Sequence, residues 1–339
     1  MKRMFNRIDG KVLKEQVKHD NIQRTTVSFY KYVRISNPTL FRDHLFASLD
    51  DLGVLGRIYI AREGINAQIN VPKDKWESFK KVIDSVDFLR EIRLNIALEN
   101  KHNSFFKLII KVRNKIVADG IDAPDFDSSN IGKHLNAESF NRLTENPDTI
   151  LVDMRNHYES EVGHFKKAWC PDVDTFREQL PLVAKKLADK KDKDIVMYCT
   201  GGIRCEKASA YLKYKGFEKV YQLEGGIINY SQQVKEKGLE NKFIGKNFVF
   251  DERLGERITE DIIAQCHQCG AYCDDHTNCA NVACNLLFIQ CPSCKKKMKN
   301  TCSTDCLTFH ELPEEIQKEK RKKKDSGIRI FSKGRFLKS

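Results

Sequence analysis

The 339-residue chain contains no apolar run near the roughly 20 residues that a membrane-spanning helix needs. Its mean hydropathy is −0.53. Residues 1–16 carry charges but no apolar stretch of the secretory type, so export is excluded and a cytoplasmic protein is expected. No glycine-rich dinucleotide fingerprint is present, and no His/His/carboxylate spacing of a metal oxygenase. No nucleotide cofactor motif is therefore expected. Acidic residues are the scarcer charge, 47 against 59 Lys and Arg, leaving a formal +12. That excess points to an anionic partner, and without a membrane-spanning run no membrane partner is expected.

Charge and cysteine are both unevenly placed. Residues 318–339 hold ten basic and two acidic side chains, a formal +8. Nine of the 12 cysteines fall between Cys266 and Cys306, and the other three are Cys170, Cys199 and Cys205. In a reducing compartment these are expected to be thiols or metal ligands rather than disulfides.

Periodicity divides the chain. Residues 1–25 predict an arm or a short helix. Residues 26–120 predict a small α+β unit with strands over 27–33, 57–61, 65–71 and 106–112 and helices over 39–52 and 76–86. Leu40, His44, Leu45, Ala47 and Leu49 are the expected inward positions of the first helix. The order β-α-β-β-α-β is that of a ferredoxin-like domain. Residues 121–145, polar at first and containing Pro124, predict a linker. Residues 146–240 alternate short apolar strands (150–153, 194–198, 219–223) with helices, which predicts a parallel α/β sheet. A connecting segment and a Cys-rich module occupy 241–310. A basic tail occupies 311–339, and beyond Lys318 it is expected to be disordered when free.

The sharpest local signal is Tyr198-Cys199-Thr200-Gly201-Gly202-Ile203-Arg204-Cys205, between an apolar strand and a helix. Two glycines allow the backbone to curl so that successive N–H groups point inward. The following helix adds its positive end. Such a setting favours thiolate over thiol and suits an anionic species on sulfur, such as a persulfide. Cys199 is thus the predicted nucleophile. Cys205 is expected to be a packed small residue, with a resolving thiol as the alternative. Cysteine phosphatases place Arg six positions after Cys; here Cys205 stands there and Arg204 one earlier, which argues against phosphate chemistry.

The loop and its flanks resemble the rhodanese-homology domain. The upstream match is Leu151-Val152-Asp153-Met154-Arg155, Glu159 and Gly163-His164-Phe165; the downstream match is Leu223-Glu224-Gly225-Gly226-Ile227. The resemblance implies that Cys199 is the persulfide-carrying cysteine and that Thr200, Gly201, Gly202, Ile203 and Arg204 form the active-site loop. Asp153, Arg155 and Glu159 are expected to be structural ion pairs. With the N-terminal domain, Phe248-Val249-Phe250-Asp251-Glu252-Arg253-Leu254-Gly255-Glu256 and the Cys-rich module, residues 26–310 together resemble the rhodanese-containing tRNA uridine(34) hydroxylases. That family implies a tRNA partner bound through its anticodon loop, dioxygen as co-substrate, and 5-hydroxyuridine as product. A plain sulfurtransferase and a non-catalytic zinc-containing RNA-binding protein are the alternatives.

Cys266-x2-Cys269, Cys291-x2-Cys294 and Cys302-x3-Cys306 have metal-knuckle spacing, with Cys273, Cys279 and Cys284 between them and His267 and His276 nearby. Structural zinc is expected. Nine cysteines would fill two four-ligand sites with one over, and the spacing does not pair them. The run Lys320-Arg321-Lys322-Lys323-Lys324, and Phe331 and Phe336 among Arg329, Lys333 and Arg335, are candidate nucleic-acid contacts. Arg62-Glu63-Gly64-Ile65-Asn66 is expected to be a structural turn.

Overall fold

The computed structural model describes residues 10–20, 22–98 and 104–323. A short helix α1 (Gly10–His19) opens it, burying Leu13 and Val17. The N-terminal domain follows: β1 (Arg24–Tyr32), α2 (Pro38–Asp51), β2 (Leu55–Ala61), β3 (Gly64–Pro72), α3 (Trp76–Asp84), β4 (Asn95–Ile96) and β5 (Leu108–Val112). The sheet order is β4-β1-β3-β2-β5. β1, β2 and β3 pair antiparallel, and one face supplies Val27, Phe29, Ile58, Ala67 and Ile69 to a core shared with Leu45, Leu49, Phe79 and Ile83. Asn37 caps α2 by accepting from the Leu40 N–H at 3.0 Å, and Pro38 supplies the first turn. This places Phe46 inside with Leu45 and Leu49, whereas Leu40 and His44 turn outward, against expectation.

The ferredoxin-like order is present, but its fourth strand is the two-residue β4, which pairs with β1. The predicted last strand, β5, lies at the opposite edge and runs parallel to β2. A two-residue strand has too little alternation to be read from sequence.

The second domain is a four-stranded parallel sheet, order β6-β10-β9-β7: β6 (Lys133–Leu135), β7 (Ile150–Asp153), β9 (Asp194–Tyr198) and β10 (Lys219–Leu223). Residues 133–145 are therefore part of this domain and not of a linker. β6 is a polar three-residue edge strand, and α4 (Ala137–Glu145) packs Phe140 beneath the sheet with Phe165, Tyr198 and Tyr230. α6 (Phe176–Lys186) and α7 (Ile203–Tyr214) cover the opposite face, and α8 (Gly226–Lys237) lies with α4. After β7, the short helix α5 (His157–Ser160) leads to β8 (Gly163–Phe165). β11 (Phe243–Asn247) pairs antiparallel with β8, and β12 (Glu256–Arg257) with β11, so the chain beyond α8 closes a separate three-stranded sheet, order β12-β11-β8.

The Cys-rich module contains the hairpin β13 (His276–Asn278) and β14 (Leu287–Ile289), then α9 (Pro292–Met298) and α10 (Thr304–His310). It packs on α5 through Tyr158, Phe248 and Ile289, and His267 Nε2 pairs with Glu161 at 2.8 Å. The tail begins as a helix, α11 (Glu314–Lys323), which runs past Lys318 into the stretch expected to be disordered; its two leading acidic residues suit a helix N-terminus. The remainder, with Phe331 and Phe336, lies outside the described residues. No helix among the described residues is long and apolar enough to cross a membrane.

Candidate active site and two cysteine quartets

β9 delivers Cys199 to the end of the parallel sheet, and the chain turns immediately into α7. Gly202 makes that turn at φ +100°, and its N–H donates to Cys199 Sγ at 3.2 Å. The second glycine motif acts here too. Gly226 opens α8 so close to the loop that a Cβ would lie 2.4 Å from the Cys199 carbonyl oxygen. The Ile227 and Ile228 N–H groups accordingly donate to the carbonyls of Cys199 (3.0 Å) and Thr200 (3.2 Å). With those carbonyls tied to α8, the loop amides are left to face the sulfur.

Burial disfavours the Cys199 thiolate. The Cys205 Sγ–H, the Arg204 charge and the backbone N–H groups of Arg204 and Cys205 outweigh it, and the thiol is pulled down to about 6. Cys205 moves the other way: burial, its bond to Cys199 and the Cys199 charge push it well above its ordinary value. Cys205 is thus a buried hydrogen-bond donor that keeps its own proton and supports the Cys199 thiolate.

Arg204 is gripped by Glu159 in a bidentate pair at 2.6 and 2.8 Å. Glu159 is fully buried. Arg155 pairs likewise with Asp153 at 2.7 Å and donates to the Gly163 carbonyl at 2.6 Å, fixing β8 to the end of β7. The three residues expected to be structural ion pairs occupy such pairs.

Cys199, only 1% exposed, lines a cavity of about 700 Å³ with Thr200, Gly201, Ile203 and Arg204. Its far wall is the N-terminal sheet, which sequence reasoning did not place here. That domain also grips the loop directly. Tyr32 Oη–H donates to the Ile203 carbonyl at 3.3 Å, and Asn95 Nδ2 to the Gly201 carbonyl at 3.5 Å. Tyr30 Oη–H donates to Glu206 at 3.0 Å, and its oxygen fills the space where a side chain at position 202 would sit. Glu206 also accepts from His134 Nε2 at 3.0 Å. Glu63 joins Lys207 on α7 at 2.7 Å, so the 62–66 segment is a structural clamp between domains. The half-buried polar alternation Ser28/Tyr30 and Asn66/Gln68 was the available sequence signal for this wall.

The Cys-rich module brings eight thiols into two groups: Cys266, Cys269, Cys291 and Cys294, and Cys279, Cys284, Cys302 and Cys306. Within each group the sulfurs lie within 4.8 Å of one another. Sulfur–sulfur edges are 3.6 Å (Cys269–Cys291), 3.7 Å (Cys284–Cys302) and 3.6 Å (Cys302–Cys306). A tetrahedral ion about 2.3 Å from each sulfur requires edges of about 3.8 Å, so both quartets fit one. Backbone N–H groups of Cys291 and Cys302 donate to Cys266 and Cys279 Sγ at 3.3 and 3.4 Å, as thiolate ligands require. Cys273 is buried outside both quartets, accepting from the Asp275 N–H at 3.4 Å. His267 and His276 belong to neither.

A parallel sheet whose strand ends in a thiolate, ringed by amides between two helix N-termini, defines a rhodanese-like domain. Family models agree, matching a UPF0176 acylphosphatase-like domain at residues 24–116, a rhodanese-like domain at 136–233, and a segment described as rhodanase C-terminal at 244–307. Among the similar proteins, a tRNA uridine(34) hydroxylase of Pectobacterium carotovorum subsp. carotovorum is 56% identical, covering 98% of this chain and 94% of its own. One of Photorhabdus laumondii subsp. laumondii is 55% identical, covering 98% and 95%. The chain belongs to the tRNA uridine(34) hydroxylase family.

Proposed function

We propose that this protein hydroxylates C5 of the wobble uridine in the anticodon loop of tRNA, with the Cys199 thiolate as nucleophile. The observation that carries this reading is the position of that thiolate, in the wall of a cavity of about 700 Å³ between two domains. That volume falls in the range of small-ligand pockets, roughly 300–1,000 Å³. A wobble base stands in a single-stranded loop and is free to be splayed into such a pocket. The relatives named above carry the name of the same reaction.

The chemistry follows from the sulfur. Cys199 Sγ adds to C6 of the ring, and the C5=C6 electron pair moves onto C5 and the O4 carbonyl as an enolate. C5 then takes one oxygen atom of dioxygen. The other atom leaves as water, its two electrons and two protons coming from a dithiol reductant that is oxidised to a disulfide. Loss of the C5 proton and cleavage of the Sγ–C6 bond restore the double bond and the thiolate. The loop amides, the Arg204 charge and the Cys205 Sγ–H stabilise the sulfur anion at both ends of this cycle. The quartets are assigned structural zinc ions: a closed four-thiolate site has no open position for substrate.

Mass spectrometry of tRNA nucleosides from cells with and without the protein tests this reading. The expected result is loss of 5-hydroxyuridine and its derivatives in the deletion strain and their return on complementation. Unchanged 5-hydroxyuridine, together with thiosulfate turnover by the purified protein, would transfer the same thiolate to sulfurtransferase chemistry.

A further inference from the structure

The substrate base has a hydrogen-bonding edge as well as a reactive double bond, and the wall opposite Cys199 carries groups matched to it. The cavity face of the N-terminal sheet presents Ser28 on β1, Tyr59 on β2, and Asn66 and Gln68 on β3. They alternate with core residues Val27, Phe29, Ile58, Ala67 and Ile69. Ser28 stands opposite Gln68, and Tyr59 opposite Asn66, so the four form one patch. An antiparallel sheet with one apolar face ordinarily turns the other to bulk water. Here that polar face is half-buried across a cavity from the thiolate loop.

Asn66 is oriented. Its Nδ2 donates to the Ile116 carbonyl oxygen at 3.3 Å, and a carbonyl only accepts, so the two ends of the amide are fixed. Oδ1 has no partner among the described residues. The Gln68 amide and the Ser28 hydroxyl likewise have none among them.

We propose that Asn66 and Gln68, with Ser28 beside them, read the imide edge of the uracil ring; this rests on the reading of Cys199 given above. Uracil offers acceptor, donor and acceptor along O4, N3–H and O2. Asn66 Oδ1 accepts from N3–H, and Gln68 Nε2 and Ser28 Oγ–H donate to the carbonyl oxygens. Cytosine places a bare lone pair at N3 and an amino group at C4, so the fixed acceptor of Asn66 meets another acceptor. A site built around such hydrogen bonds rejects a base that leaves them unmet.

The test uses full-length protein under single-turnover conditions, in air with a dithiol as the two-electron donor, and anticodon stem-loop RNAs carrying either U34 or C34. Wild-type protein should hydroxylate U34 and strongly disfavour C34. Asn66→Leu should lower the U34 rate by about 10- to 100-fold and collapse the U34-over-C34 preference; Gln68→Leu should lower the rate by less. Alkylation of Cys199 by iodoacetamide should proceed at the wild-type rate in both variants, because neither side chain touches the loop. If Asn66→Leu loses that alkylation through misfolding, Gln68→Leu decides. Variants that alkylate normally and keep both the wild-type U34 rate and the wild-type base preference would overturn the proposal. A wild-type protein that makes no 5-hydroxyuridine from U34 would remove the catalytic reading itself, and this inference with it.

Discussion

The Cys199 loop and the Cys-rich module solve opposite problems with the same atom. In the loop, one thiolate is held by N–H groups, a guanidinium and a second thiol, and it faces a cavity. In the module, thiols face one another in fours, with edges of 3.6–3.7 Å and backbone N–H groups at their backs. Sulfur anions crowded this closely require a shared cation, whereas a lone sulfur anion among amides needs none. Surroundings, rather than the residue type, separate a nucleophile from a structural ligand.

Breaking the first half of this contrast has the largest expected effect. Cys199→Ser should reduce turnover on a U34 stem-loop to background while the melting temperature stays near wild type. A serine hydroxyl fits the nest but does not ionise near neutral pH. Retained turnover in a folded Cys199→Ser protein would end the distinction between the two regions.

Breaking the second half should cost metal and stability instead. Elemental analysis of wild-type protein purified without chelator should find about two equivalents of zinc. Cys291→Ser should bring that to about one and lower the melting temperature, since Cys291 packs beside Ile289 and Tyr158. Cys199 alkylation should be little changed. Full zinc content in Cys291→Ser would dissolve its quartet.

A smaller effect sharpens the contrast. The rate of Cys199 alkylation follows the thiolate fraction, so it should rise as pH rises through about 6 and flatten above. Cys205→Ala removes an Sγ–H that stabilises the anion, so the midpoint should move upward toward the ordinary thiol range. The sign for stability follows from the same shift. A thiol depressed in the folded state contributes stability at high pH that fades as pH falls toward about 6. An unmoved midpoint would reduce Cys205 to packing.

Local chemistry was legible in the sequence and long-range assembly was not. Gly201, Gly202, Arg204 and Cys205 lie within six residues of Cys199, so the nest could be read from one segment. The ligand sets could not: the quartets interleave, Cys266/Cys269 closing with Cys291/Cys294 across Cys279 and Cys284. Spacing cannot choose between nested and interleaved pairing. The strands of the parallel sheet were read where they were apolar and missed at β6, whose edge position leaves Lys133 and His134 exposed. Tyr30, Tyr32 and Asn95 escaped notice because their partners, Glu206, Ile203 and Gly201, lie more than a hundred residues away.

In the proposed reaction the Cys199 sulfur bonds to C6 of the wobble base. The most direct measurement is anaerobic incubation with an anticodon stem-loop carrying 5-fluorouridine at position 34, followed by peptide mass spectrometry. Fluorine makes C6 more electrophilic, and protonation at C5 completes the adduct without dioxygen. RNA-derived mass is expected on the peptide containing Cys199, and its absence in Cys199→Ser. No adduct, in a preparation that hydroxylates U34 in air and carries an extra sulfur atom on that peptide, would contradict it in favour of a persulfide.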